Sequence, residues 1–157
     1  MLQTGWDKHY RRDKSILQFP DENLIRLIKK NLATSKEIAA LDLGCGSGRH
    51  LLLMEMSEVT HIYGADISYN ALEICNKYYS YPLIQCQNNS LPFKNNSFDF
   101  LIAWGSLHYN PKDELPLMIH EIIRVLKKGA HLFATLRNTS DTYLQKGKHI
   151  GDNQWIT

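Results

Sequence analysis

The sequence predicts an α/β fold, a doubly wound and mostly parallel sheet with helices on both faces. Three observations predict it. Short apolar runs alternate with segments of helical periodicity along most of the chain, the first run ends in alternating glycines, and the second ends in a carboxylate. Strand, helix and strand in succession call for right-handed crossovers and a parallel sheet covered on both sides.

The elements follow in order. Residues 1–35 read as an N-terminal helix region, in which Leu24, Ile25, Ile28 and Leu32 give one apolar face to a helix from Asp21 to about Leu32. The core of the domain is expected over residues 36–137. Its strands read as "IAALDL" (38–43), "HIYGADI" (61–67), "PLIQC" (82–86), "FDFLIAW" (98–104) and "HLFATL" (131–136). A helix is expected from about Tyr69 to Tyr79. Leu115, Met118, Ile119, Ile122 and Leu126 mark another, with Lys127 and Lys128 as its C-terminal charges and Gly129 as its stop. Residues 138–157 read as a polar tail.

Composition bounds the rest. At 157 residues, 43% hydrophobic and 22% charged, the chain is expected to be a single domain with enough length for a core. A net charge of +2 with both signs interspersed makes no large basic field, so nucleic acid is disfavoured and a small-molecule partner favoured. Cys45, Cys75 and Cys86 form no C-x-x-C pair and read as free thiols in a reducing compartment, with no metal site. No stretch approaches the roughly 18 apolar residues of a membrane span. The N-terminal "MLQTGWDKHYRRDK" carries charges where a signal peptide needs an apolar segment, so a cytoplasmic protein without a membrane partner is expected.

The glycines carry the chemistry. In an open parallel sheet the ligand sits beyond the carboxyl ends of the strands, where Gly44, Gly46 and Gly48 fall. Glycine takes positive φ and lets a ligand lie against the main chain, while the amides opening the next helix donate to it. A tight turn without a ligand is the alternative, but three alternating glycines lose more backbone entropy than a turn requires. A dinucleotide fingerprint would place a third glycine where Arg49 stands, so a nicotinamide-dependent oxidoreductase is the minor reading. Asp66, 22 residues beyond Gly44, is placed to accept both hydroxyls of a ribose. It could instead cap the following helix, although Ser68 is better placed to do so.

Four segments in this order resemble the class I S-adenosylmethionine-dependent methyltransferases of the small methyltransferase-domain type, over about Asp21 to Leu136. They are "ALDLGCGSGRH", "YGADIS", "NNSLPFKNNSFDFLIAWGSLHY" and "HEIIRVLKKGAHLFATL". The resemblance implies a Rossmann-like fold, S-adenosylmethionine as cofactor and S-adenosylhomocysteine as product. It places Asp42 and the main chain of Gly44, Cys45, Gly46 and Gly48 around the methionine part, Asp66 on the ribose, Ile67 against the adenine, and Ala103 on the cofactor side of the fourth strand. Relatives hold an aspartate four residues before the L-P-F leucine, where this chain has Gln87 with Asn88 beside it. An amide oxygen still accepts from the adenine amino group, more weakly than a carboxylate. "LKKGA" in place of "LKPGG" changes a turn away from the cofactor.

Methyl transfer by in-line displacement from an activated sulfonium needs mainly positioning, which accounts for the lack of a nucleophile triad in the sequence. By the resemblance, His108 and Tyr109 face the methyl group. His108 is a general base with an ordinary pKa near working pH, or a ring packed beneath its loop on a backbone carbonyl. Trp6 and Tyr10, one helical turn apart, make an aromatic lid or a hydrophobic anchor. Arg11 and Arg12 meet an acidic substrate or form a solvated face. Cys45 reads as a small buried thiol rather than a nucleophile. "AWGS" stands where amino-methylating enzymes carry an "NPPY"-like tetrapeptide, which favours a small-molecule acceptor. A non-catalytic S-adenosylmethionine-binding module is the alternative from another class.

The family completes its sheet with an antiparallel pair beyond the fifth strand, and the 21 residues after Leu136 hardly suffice for it. Those C-terminal strands are expected to be missing through truncation, or the fifth-strand edge to be covered by a second copy in a homodimer.

Overall fold

Five parallel strands form the centre of the computed structural model, which describes residues 2–32, 37–138, 140, 141, 146, 148–151 and 154–156. In chain order the elements are α1 (Leu2–Tyr10), α2 (Glu22–Asn31), β1 (Ala39–Leu43), α3 (Arg49–Met56), β2 (His61–Asp66), α4 (Tyr69–Tyr78), β3 (Leu83–Gln85), β4 (Phe98–Ala103), α5 (Leu115–Val125), β5 (Leu126–Ala134), β6 (Lys148–Gly151) and β7 (Gln154–Ile156). The main sheet runs β3-β2-β1-β4-β5. Strand order reverses between β1 and β4, which opens a crevice beyond their carboxyl ends.

Alternation along the strands divides the core in two. Ala40, Ile62, Phe100 and Ile102 pack with Leu24 and Ile28 of α2 and Leu51 and Met54 of α3. Leu41, Leu43, Ala65 and Leu101 pack with Met118, Ile122 and Val125 of α5. The residues predicted to face inward from α2 and α5 therefore do so, and Asp42 points to the α3 face beside Ala40. Both helix starts read from the sequence carry their caps. The Asp21 side chain accepts from the Asn23 amide at 2.9 Å, and the Ser68 hydroxyl accepts from the Ala71 amide at 3.1 Å.

One expectation is corrected. The last helix stops at Val125 rather than at Gly129, and β5 begins at Leu126, five residues earlier than read from the sequence. The amides of Asn96 and Ser97 donate to the final carbonyls of Arg124 and Val125 at 3.0 and 2.7 Å, so a neighbouring segment caps the helix before a further turn can form. Lys127 then pairs with Asp99 at 2.8 Å, and Gly129, at φ +81°, lies in the irregular stretch between the Phe98–Leu126 and Phe100–His131 pairings. In the tail, β6 and β7 pair antiparallel in a sheet of their own, apart from the five main strands. Among the described residues no helix is long and apolar enough to cross a membrane.

Candidate active site

The glycine loop between β1 and α3 is pinned by the amides of Gly44 and Cys45, which donate to the Ala65 carbonyl at 2.7 and 3.0 Å. Gly44, Gly46 and Gly48 have φ of +78°, +55° and +94°, a region that favours glycine. Their surroundings differ. A Cβ on Gly44 would collide with Ser106 and one on Gly46 with the Tyr10 hydroxyl, both walls of the crevice. A Cβ on Gly48 would sit 2.6 Å from Cys75 Sγ and 2.7 Å from the Tyr79 ring, so that bare position serves packing against α4.

Asp66 ends β2 and is buried. Its Oδ2 accepts from the Gly46 amide at 2.9 Å and its Oδ1 from the Ser68 amide at 2.8 Å. Burial raises its pKa, and those two N–H groups oppose the rise. The carboxyl group thus fixes the loop and keeps further lone pairs toward the crevice.

Beneath the loop Asp42 is 1% exposed, and neither carboxyl oxygen has a hydrogen-bond partner. Its Oδ2 lies 3.9 Å from His50 Nδ1. This contact is not an ion pair at neutral pH. Burial, with the Asp66 charge behind it, pushes Asp42 up to about 8, while burial and the neighbouring Arg49 push His50 down to about 3. His50 Nε2 and Ser106 Oγ are also buried without partners. Unsatisfied groups of this kind cost about 1–3 kcal/mol each, and in folded proteins they gather where a ligand completes them.

Two cavities open on the crevice. One, of about 80 Å³, is walled by Asp66, Ile67, Gln87, Asn88 and Ser106. The other, of about 340 Å³, is walled by Cys45, Gly46, Arg49, His50, Trp104 and Tyr109. Trp6, Tyr10, Gly44 and Gly105 border both, so the two chambers share a wall. The loop bearing Gln87 and Asn88 is held from α5. Arg124 donates to the carbonyls of Leu91 and Phe93 at 2.9 and 2.7 Å and pairs with Glu121 at 2.6 Å, while the Leu91 amide donates to Glu121 at 2.7 Å.

Of the residues singled out in the sequence, Asp42, Gly48, Ala103, His108 and Arg11 border neither chamber. Ala103 is buried in the core and Arg11 is exposed. His108 Nδ1 lies 3.5 Å from the Thr135 carbonyl, which can only accept. Burial lowers the His108 pKa. Tyr109 stacks edge-on with Trp6 and takes a hydrogen bond from Arg137 at 3.0 Å. A hydrogen bond to Cys75 and full burial push the Cys45 thiol well up, which keeps it protonated. Sequence reasoning passed over Ser106, Asn110 and Glu114, which border the smaller chamber, and Asp7, whose carboxylate meets Ser68 at 2.7 Å. None of them belongs to a spacing pattern, since each is brought in by tertiary packing. Among the described residues no cluster could hold a metal ion.

Comparison with known proteins agrees with this geometry. The family described as "Methyltransferase domain" matches residues 40–129. The O-methyltransferase rstn1 of Aspergillus nomiae is 29% identical over 134 residues, 81% of this chain and 58% of that protein. The tRNA (carboxymethyluridine(34)-5-O)-methyltransferase alkbh8 of Xenopus tropicalis is 30% identical over 89 residues, 56% of this chain and 14% of that protein. A solved structure from Pyrococcus horikoshii superposes with a TM-score of 0.62 at 26% identity, over 69% of this chain and 49% of that one. The chain spans about half the length of the curated relatives that it matches best in extent. With the five-stranded parallel sheet, the glycine loop and the family match on one stretch of sequence, the chain belongs to the methyltransferase-domain family, the class I enzymes that depend on S-adenosylmethionine.

Proposed function

We propose that this chain binds S-adenosylmethionine in the crevice and belongs to an enzyme that methylates a small molecule. One observation carries the reading: Gly44, Asp66 and the unpartnered oxygens of Asp42 and Ser106 converge at the carboxyl ends of β1, β2 and β4. The residues fit the cofactor. Asp66 keeps lone pairs for ribose hydroxyls, Ile67 offers an apolar surface to the adenine, and Gln87 and Asn88 offer amide acceptors, while Asp42, protonated in the ligand-free chain and beneath the loop, accepts from the methionine ammonium once it gives up its proton. When bound, S-adenosylmethionine supplies a sulfonium-activated methyl group. The protein's part is positioning and the exclusion of water, to which Trp6 and Tyr10 contribute as a lid. His108 lies outside both chambers, so it serves as a base only to an acceptor that reaches past their walls, and its lowered pKa favours the neutral ring that this needs.

The larger chamber supports a small acceptor, being walled by Trp6, Tyr10, Trp104 and Tyr109. A tRNA acceptor is the second reading, raised by the name of the Xenopus relative. Incubation with methyl-tritiated S-adenosylmethionine separates the two. Label moving to a metabolite panel and not to total tRNA supports the first, whereas label on tRNA alone refutes it. We further propose that two copies associate through the outer edge of β5, which pairs only with β4 among the described residues and exposes Leu132. Light scattering from a monodisperse monomer would refute that association.

A further inference from the structure

Helix α1 lies over the cleft, yet none of its described residues joins either apolar core. Asp7 ties it to α4 by hydrogen bonds. The Asp7 carboxylate accepts from the Ser68 hydroxyl at 2.7 Å and from the Asn70 amide at 3.2 Å, and the Asp7 carbonyl accepts from the Asn70 side chain at 2.9 Å. Asp7 therefore sits over the first turn of α4, where free amides and the helix dipole favour a negative charge. Ser68 is fully buried and ties three parts together. Its hydroxyl caps α4 through the Ala71 amide, its own amide holds Asp66, and its hydroxyl proton goes to Asp7. Trp6 precedes Asp7, and Tyr10 follows it by three residues. Both rings wall both chambers, and the Tyr10 hydroxyl presses on Gly46.

We propose that Asp7 is a positioning residue that latches α1 onto α4, so that release of the Asp7–Ser68–Asn70 contact lifts Trp6 and Tyr10 and gates entry and exit of the cofactor. The latch rests on the cofactor reading above for the identity of what passes. Its physical basis does not. An element held by a few hydrogen bonds, the Trp6–Tyr109 ring contact and the Tyr10 hydroxyl at Gly46, with no share in either apolar core, opens locally at far less than the global unfolding free energy. The same contacts close the cleft whether or not a ligand is inside, so weakening them speeds passage in both directions.

Two measurements test it on the whole chain. In hydrogen exchange on the ligand-free protein, Asp7→Ala is expected to speed exchange of the α1 amides at least tenfold and to leave β1 and β4 unchanged. Asp7→Asn, which keeps one acceptor oxygen, should fall between it and the wild type. In stopped-flow binding of S-adenosylhomocysteine, Asp7→Ala should raise the association and release rates together, each at least tenfold, so that Kd changes less than either rate. Asn70→Ala, which removes a latch contact without touching Asp7, should act in the same direction. A merely structural role would speed exchange throughout the sheet and leave the two rates uncoupled, which overturns the proposal, as does unchanged α1 exchange. If the wild type binds no S-adenosylhomocysteine, the cofactor reading fails and the gating step falls with it, while the exchange data still decide whether Asp7 latches α1.

Discussion

Asp42 is a carboxyl group buried beside an imidazole, with no hydrogen bond to either oxygen. Its pKa is pushed up to about 8 from 3.8, so the folded chain keeps a proton that the unfolded chain releases. A raised carboxyl pKa makes stability fall as pH rises from about 4 to about 8. His50 works at lower pH, since its pKa is pushed down to about 3 and stability is lost as pH falls below its unfolded value of 6.5. Above pH 6.5 only the carboxyl effect remains of these two. The melting temperature of the ligand-free wild type is therefore expected to drop between about pH 6.5 and 8, and that of Asp42→Asn to stay nearly flat; equal slopes would contradict the burial account. Asp66 and the glycines were legible in the sequence because backbone conformation and strand ends are local properties. Asp7, Ser106 and Glu114 were not, because nothing within their own segments marks a single polar residue that long-range packing turns inward.

Among the elements, α5 shapes the candidate site through the loop that carries Gln87 and Asn88. Arg124 holds the carbonyls of Leu91 and Phe93, and the pair with Arg124 draws Glu121 down to about 2. Replacement by alanine strands those carbonyls and frees the loop that carries Gln87 and Asn88. Arg124→Ala is expected to lower unfolding stability by about 1–3 kcal/mol, less than a sum over its bonds because the guanidinium is partly solvated. Denaturant unfolding with an unchanged midpoint would refute the clamp. The apolar periodicity of α5 predicted its buried face, but its end was misplaced. Lys127, Lys128 and Gly129 make a helix terminus in isolation, and only the strand segment at Asn96 and Ser97 reveals that the carbonyls are capped earlier. Likewise Trp6 and Tyr10 suggested a lid or an anchor, while the Asp7–Ser68 contact of their helix joins residues 61 positions apart.

Over the whole molecule, the strand order puts the glycine loop, the carboxylate of β2 and the loop after β4 at one reversal point, the place where our proposal seats the cofactor. The alternation of strands and helices was enough to reach this architecture, since each crossover is right-handed and its strand neighbours are few. The pairing of β6 with β7 was hidden because the composition of their segment reads as a polar tail. The central claim is that Asp66 grips the sugar of S-adenosylmethionine against the bare loop. Titration calorimetry of S-adenosylhomocysteine into the wild type and Asp66→Ala tests it most directly. The account predicts one site in the wild type and at least tenfold weaker binding in the variant, given about 1.5–3 kcal/mol for each hydrogen bond to a charged group. Equal affinity in the two proteins, or heat from reduced nicotinamide dinucleotide and none from S-adenosylhomocysteine, would contradict it.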